Sequence, residues 1–278
     1  MVRLTLIQGD YLKVLPKIPS ESIDLVVTSP PYNAGFEYEE NLEENEYFDF
    51  IKKVLIEIYR VLKDSGRVCW NVPFVIYNSE LKRKFFIAPK TILLFEKIGF
   101  IPMDLIIWHK GKSEEHFCGN DTSWGSFKSP SCPYMRPLAE AILVFAKGEI
   151  KLKYKGKTDI TSEEFKEWTK NIWYIPTTIK DKKLHPTAFP LELPIRCIKL
   201  YSWKNAAILD PFLGSGTTMK ACLELKRNCI GIEINPEYIK VIKQRLNWGS
   251  SLGDVKFEFY TEEEFKGGNF KKLLEGME

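Results

Sequence analysis

The chain has 278 residues, 44% of them hydrophobic and 28% charged, with a formal net charge of +3. That composition excludes a low-complexity or disordered chain and supplies one large domain with an inserted module, while near-balanced charge neither demands nor excludes a nucleic-acid partner. Six cysteines without a CxxC pair and only three histidines argue against any metal site, and the lack of a secretory leader or of an apolar run of about 18 residues points to a cytoplasmic protein with no membrane partner.

The predicted elements alternate in type. LTLIQGD (4–10) reads as a short strand ending in a turn, and SIDLVVT (22–28) as a buried strand. EYFDFIKKVLIEIYRVLKDSG (46–66) is an amphipathic helix with Phe50, Ile51, Val54, Leu55, Ile58 and Leu62 on one face, stopped by Gly66; RVCWNV (67–72) is the next strand. A helix over 90–100 leads to the strand MDLIIWHK (103–110), a segment rich in Gly, Ser, Pro and aromatics covers 111–137, and AEAILVFAK (139–147) is again a strand. KLKYKGK (151–157) alternates like one face of a strand or hairpin, and SEEFKEW (162–168) is a short helical piece. A helix over 190–202 with Pro190 at its first position, strand AAILD (206–210), helix 217–226, strand CIGIE (229–233) and helix 236–247, capped by Asn235, follow. VKFEFY (255–260) is one further strand. Strands apolar throughout, with helices between them, predict an α/β fold: a doubly wound, mostly parallel seven-stranded sheet covered on both faces.

Two stretches carry chemistry. In VVTSPPYNAG an apolar strand ends in Thr28, Ser29, Pro30, Pro31 and Tyr32, where two prolines hold the backbone in a narrow range and so fix the groups beside them. In ILDPFLGSGTT (208–218) a strand ends at Asp210, and Gly214 and Gly216 permit a tight turn with close backbone approach to a ligand before Thr217 or Thr218 opens a helix. Glu233 then stands at the tip of the next strand, where a carboxylate accepts hydrogen bonds from ribose hydroxyls. The spacing is neither G-x-G-x-x-G nor a Walker phosphate loop, and Asp210 repels a pyrophosphate. S-adenosylmethionine, with its amino group, sulfonium and adenosine ribose, suits Asp210 and Glu233 better. In an open parallel sheet both strand tips face one crevice, so the first motif presents the acceptor to the methyl donor held by the second.

These residues resemble the amino-methylating DNA methyltransferases, which modify the N4 amine of cytosine or the N6 amine of adenine. TSPPY (28–32) matches their catalytic motif, DPFLGSGTT (210–218) their donor-binding motif and GIEINPEY (231–238) the motif of the ribose-binding acid; LIQGD (6–10), WHK (108–110), AILVFAKG (141–148) and HPTAFPLELPIRCI (185–198) agree as well, although Ala188 and Phe189 depart from the polar-basic pair often found there. The order, catalytic motif first and donor motif last, resembles the permuted β group. The resemblance covers about residues 4–247 and implies a Rossmann-like S-adenosylmethionine-dependent fold, with Ser29, Pro30, Pro31 and Tyr32 as the catalytic group and Asp10, Thr28, Asp210, Pro211, Phe212, Gly214, Gly216, Thr217 and Glu233 around the donor. It implies direct methyl transfer in duplex DNA, with a carbonyl of the Ser29–Pro30 region and the Ser29 hydroxyl orienting the amine, and Tyr32 stacking on a base that has left the helix. Ser29 in the first motif position favours cytosine N4, with adenine N6 as the alternative; no Pro-Cys motif of the carbon-5 cytosine enzymes is present.

For DNA contact, the basic runs select Lys151, Lys153, Lys155, Lys157, Lys182 and Lys183, with Trp173 between them. The expected organisation is a catalytic half (1–147, including loop 111–137), a target-recognition insert (148–183), a donor-binding half (184–249) and a C-terminal extension (250–278). A cognate restriction endonuclease and a homodimer are the further partners this family brings into view. An RNA or protein amine methyltransferase and a non-catalytic nucleic-acid-binding module are the rival functions.

Overall fold

A computed structural model of the protein describes residues 1–35, 42–113, 125–177, 188–250 and 253–266. Among them the strands are β1 (Val2–Gln8), β2 (Ile23–Thr28), β3 (Leu62–Pro73), β4 (Val75–Asn78), β5 (Arg83–Phe86), β6 (Phe100–His109), β7 (Ala139–Lys147), β8 (Ile172–Tyr174), β9 (Ala207–Asp210), β10 (Asn228–Glu233) and β11 (Val255–Thr261). The helices are α1 (Tyr11–Val14), α2 (Glu44–Val61), α3 (Ile87–Ile98), α4 (Ser162–Trp168), α5 (Glu192–Tyr201), α6 (Thr217–Leu225) and α7 (Pro236–Arg245). None of the helices among the described residues is long and apolar enough to cross a membrane.

One sheet runs in the order β11-β1-β10-β9-β2-β3-β7-β6-β8, and β4 pairs with β5 in a separate hairpin. Within the large sheet only β7 is antiparallel to its neighbours, β3 and β6. The mostly parallel, doubly wound fold is therefore the one expected, with the seven-strand core from β1 to β6 widened to nine by β8 and β11 at its edges. β2 lies directly beside β9, pairing Leu25 with Ile208 and Val26 with Leu209.

Burial explains why the strands read as apolar runs. Every residue of β2 is buried. Val26 faces a core that holds Tyr47, Ile51, Val54, Leu55 and Ile58 of α2 and Phe95 of α3. Leu25 and Val27 face the opposite core, with Leu193 and Cys197 of α5, Met219 and Cys222 of α6 and Ile239 and Ile242 of α7. Alternation along the strand thus feeds two layers of helices, one on each face.

The elements depart from expectation in several places. The helix predicted over 46–66 ends at Val61, because Leu62 turns extended (φ −65°, ψ 135°). The carbonyls of Arg60 and Val61 are taken by the amides of Glu21 and Ser22, at 3.1 and 2.8 Å, so the chain passes straight into β3. Pro190 lies ahead of α5 rather than at its first position, its carbonyl accepting from the Leu193 amide at 3.1 Å. Residues 151–157 form neither strand nor hairpin.

Candidate active site

Because the parallel strands share one direction, β2, β9 and β10 end on one edge at Thr28, Asp210 and Glu233. There a cleft of about 170 Å³ is lined by Ser29, Pro30 and Pro31 on one side and by Pro211, Phe212, Gly214, Thr217 and Glu233 on the other. The two motifs, distant in sequence, meet as expected.

The donor-side loop is held from several directions. Gly216 (φ 84°) opens α6 in the left-handed region, which favours glycine. Gly231 serves differently, since a Cβ there would lie 2.4 Å from Leu213; its bareness lets the loop close over β10. Arg245 of α7 donates to the Ser215 carbonyl at 3.2 Å and to the Thr217 hydroxyl at 2.9 Å, bracing the turn from behind.

Glu233 accepts from the Gly214 amide at 2.8 Å and the Asn235 amide at 2.7 Å. Burial, with a smaller push from the Asp210 charge, nevertheless raises its carboxyl to about 7. Asp210 is 1% exposed and does not line the cleft. Its carboxylate accepts from the Thr28 hydroxyl at 2.5 Å and the Phe212 amide at 3.1 Å, and burial pushes it up to about 6. Among the described residues, Glu233 is the only acid or base on the cleft wall with a charged form near neutrality, and no Lys or Arg lines it. Such a wall is hostile to phosphate and suited to a cationic ligand with hydroxyls to donate.

Phe212 both lines the cleft and belongs to an aromatic cluster, with ring centroids 4.7 Å from Tyr11 and 6.2 Å from Trp70. Thr28 and Gly216 lie behind the wall rather than on it. Asp10 also stands back: its carboxylate caps α1, accepting from the Leu12 amide at 2.8 Å, and its amide donates to Glu262 at 3.0 Å.

On the catalytic side, the Ser29 hydroxyl lies 2.8 Å from the Tyr32 hydroxyl and 3.1 Å from the Asn71 carbonyl. Tyr32 is 7% exposed, and its hydroxyl donates to Glu140 at 3.0 Å. Burial, then the Glu140 charge, holds that phenol well above its ordinary range. Glu140 also accepts from the Asn71 side-chain amide at 3.0 Å and pairs with Lys110. The Pro31 carbonyl accepts from the Tyr47 hydroxyl at 3.0 Å. The β4–β5 hairpin supports the chain just beyond, where Asn78 donates to the Asn33 carbonyl at 2.7 Å.

Sequence reasoning missed Glu140, Asn71, Arg245 and Tyr11; Tyr11 lines the cleft, as does Tyr238, the last residue of the GIEINPEY motif. Glu140 alone left a signal, a carboxylate at the head of an apolar strand.

The expected DNA-contacting residues are not gathered at this edge. The Lys153 amide donates to Ser65 at 3.0 Å, Tyr154 donates to Asp24 at 2.6 Å, and the Lys204 amide donates to the Lys157 carbonyl at 2.8 Å. Asp24 is near the start of β2 and Lys204 precedes β9. Lys151, Lys153, Lys155 and Lys157 therefore lie along the opposite edge of the sheet, about 17 Å away for a strand the length of β2. The Lys153 ammonium is paired with Asp64 and Glu149. Trp173 is fully buried, its indole donating to the Trp168 carbonyl at 2.9 Å and its ring facing the Arg196 guanidinium at 5.3 Å, so it is a core residue and not a DNA contact. Lys182 and Lys183 lie outside the described residues.

A family model described as DNA methylase (N6_N4_Mtase) matches residues 23–244. The type II methyltransferase M.MjaI of Methanocaldococcus jannaschii is 34% identical over 285 residues, covering 87% of this chain and 90% of that protein. The DNA adenine methyltransferase YhdJ of Escherichia coli K12 is 30% identical over 265 residues, covering 88% and 83%. Among solved structures, the putative DNA modification methylase TTHA0409 of Thermus thermophilus, complexed with S-adenosyl-L-methionine, superposes with a TM-score of 0.70 at 26% identity, covering 92% of this chain and 99% of that one. The PvuII DNA methyltransferase (cytosine-N4-specific) shares the fold, with a TM-score of 0.69 at 20% identity over 99% of this chain and 94% of that one.

Proposed function

The chain belongs to the amino-methylating (N4-cytosine/N6-adenine) DNA methyltransferase family, and we propose that it transfers a methyl group from S-adenosylmethionine to the exocyclic N4 amine of cytosine in duplex DNA. The observation that carries this reading is the shared cleft, in which Ser29, Pro30 and Pro31 face Phe212, Gly214 and Glu233.

The cleft fits the donor. Glu233 is placed to accept from ribose hydroxyls, Phe212 offers an aromatic wall for adenine, and the absence of Lys and Arg from the described lining leaves a sulfonium unopposed. Asp210 acts at one remove, fixing the loop through the Phe212 amide and joining it to β2 through Thr28. Asp10, likewise, acts through α1, which carries Tyr11 to the cleft wall.

Bound donor supplies an electrophilic methyl group, and the chain's own part is to make the amine a nucleophile. An exocyclic amine has its lone pair delocalised into the base. An acceptor fixed on one of its N–H groups pyramidalises the nitrogen and turns that lone pair toward the methyl. Ser29 Oγ and the carbonyls beside it, held by two prolines, are such acceptors, preorganised before the substrate arrives. The amine is buried in the base pair of a duplex, so the base must leave the stack to reach Ser29. Tyr32 is buried with its hydroxyl turned inward, so its part is to support Ser29 rather than to offer a free stacking face.

Ser29 in the first motif position supports cytosine. Adenine N6 is the second reading, favoured by the 30% identity to the adenine methyltransferase YhdJ. Incubating duplex DNA with labelled donor and hydrolysing it to nucleosides decides: N4-methyldeoxycytidine is expected, and N6-methyldeoxyadenosine alone overturns the cytosine assignment. DNA contact belongs to the segments at the cleft edge, including 125–138, in place of 151–157. A restriction endonuclease of the same specificity is the companion this reading implies.

A further inference from the structure

Glu140 is buried (5% exposed) at the start of β7, the one antiparallel strand of the large sheet among the described residues, which brings it to the cleft edge beside Pro73 and Trp108. Its partners among the described residues are the Tyr32 hydroxyl, the Asn71 amide and the Lys110 ammonium, all donors, and none of them belongs to the donor loop. A carboxylate only accepts hydrogen bonds, so it dictates the direction of each one.

That direction propagates. Tyr32 gives its single hydroxyl proton to Glu140, so Tyr32 Oη faces Ser29 as an acceptor. The other inward neighbour of the Ser29 hydroxyl is the Asn71 carbonyl, also an acceptor. Ser29 therefore donates inward whichever of the two it chooses, and its oxygen lone pairs are left facing the cleft. An incoming amine has N–H groups to donate, and it meets an acceptor. Without the carboxylate the chain of hydrogen bonds has no fixed sense: Tyr32 could donate to Ser29, and Ser29 could then turn its own proton toward the substrate nitrogen, competing for the lone pair that attacks the methyl.

From this geometry we infer that Glu140 is a positioning residue that sets the polarity of the Tyr32–Ser29 hydrogen bonds, presenting Ser29 to the substrate amine as an acceptor. The inference rests on the methyltransferase reading above and names a residue for the same site. Lys110, about one quarter exposed at its side chain, pairs with the carboxylate at the rim.

The test is a double-mutant cycle on the full-length protein with duplex DNA and S-adenosylmethionine. Glu140→Gln is nearly isosteric but has an amide that donates, so it permits the reversed chain of hydrogen bonds. It is expected to lower kcat by about 10- to 100-fold, with KM for DNA and Kd for the donor within about twofold of the wild type. Tyr32→Phe removes the link and is expected to lower kcat similarly. Adding Glu140→Gln to Tyr32→Phe is then expected to cost nothing further, and Glu140→Asp to recover part of the rate. Additive losses in the double variant, or a wild-type kcat in Glu140→Gln, overturn the inference. So does a Glu140→Gln loss that appears in donor affinity or melting temperature instead of kcat. A wild-type protein that binds donor yet methylates no DNA strikes the functional reading itself.

Discussion

The Thr28 hydroxyl donates to the Asp210 carboxylate across 2.5 Å, joining the end of β2 to the end of β9. Both residues are 1% exposed. The bond spans 182 positions of sequence and closes the angle between the two halves of the cleft.

Asp210 can be charged only at a cost. Burial raises its carboxyl from 3.8 to about 6, so the folded protein binds that proton more tightly than the unfolded chain does. The stability this gives is fully present below pH 4 and is lost as pH rises through 6, a difference of about 3 kcal/mol at most. Asp210→Asn keeps an acceptor for Thr28 and Phe212 and removes the titration. Chemical denaturation of the ligand-free protein should show the variant roughly 1–3 kcal/mol more stable than wild type at pH 8 and equal to it at pH 4. An equal or lower stability at pH 8 contradicts the burial argument.

Glu233 carries the same imbalance into ligand binding. Its carboxyl titrates at about 7 in the free protein. Only the carboxylate accepts from two ribose hydroxyls, so donor affinity should fall as pH drops below 7, by up to about tenfold per unit until the bound-state value is reached. Isothermal titration between pH 5.5 and 7.5 measures this slope. Glu233→Gln should weaken donor binding by about 10- to 100-fold at pH 7.5 and flatten the profile. A wild-type affinity independent of pH would show that Glu233 does not contact the donor.

Ser29→Ala separates binding from chemistry. The cleft wall keeps its prolines, and the donor loop is untouched. Donor affinity should stay within about twofold, while single-turnover methylation of duplex DNA falls by roughly 100-fold, the usual loss when a fixed polar partner of the reacting group is removed. A rate within about threefold of wild type leaves the neighbouring carbonyls as sufficient acceptors and removes Ser29 from the chemistry.

The parts legible in the sequence are those with a local cause. Periodicity and apolar runs located β2, α2, β9 and β10; the turn residues around Gly216 and the Asn235 cap located the helix starts behind them; and the shared direction of parallel strands brought Ser29 to Glu233. What stayed hidden depends on where the chain goes after leaving the sheet. The lysines of 151–157 alternate like a strand face, but this stretch is pinned by Asp24, Ser65 and Lys204 to the far edge. Trp173 sits in a basic neighbourhood of sequence yet packs beside β6 in register with Trp108. Glu140 becomes meaningful only because one antiparallel strand delivers its first residues to the edge where its neighbours deliver their last.

That contrast between the two edges gives the final prediction. Segment 111–138 joins the end of β6 to the start of β7, and the Lys110 amide donates to the Leu138 carbonyl at 3.0 Å, so its described part is tied to the cleft rim. It exposes Lys112 and Lys128 and carries Arg136. Affinity for duplex DNA measured over a salt series distinguishes the edges, because removing one phosphate partner lowers the log–log slope by about 0.9. The triple substitution Lys151→Ala, Lys155→Ala, Lys157→Ala should leave both affinity and slope unchanged. Lys128→Ala and Arg136→Ala should each weaken binding by a similar factor on any sequence and reduce the slope by about one. If the first set weakens binding and the second does not, the duplex reaches across the sheet to the opposite edge, and the cleft rim is not where the backbone is held.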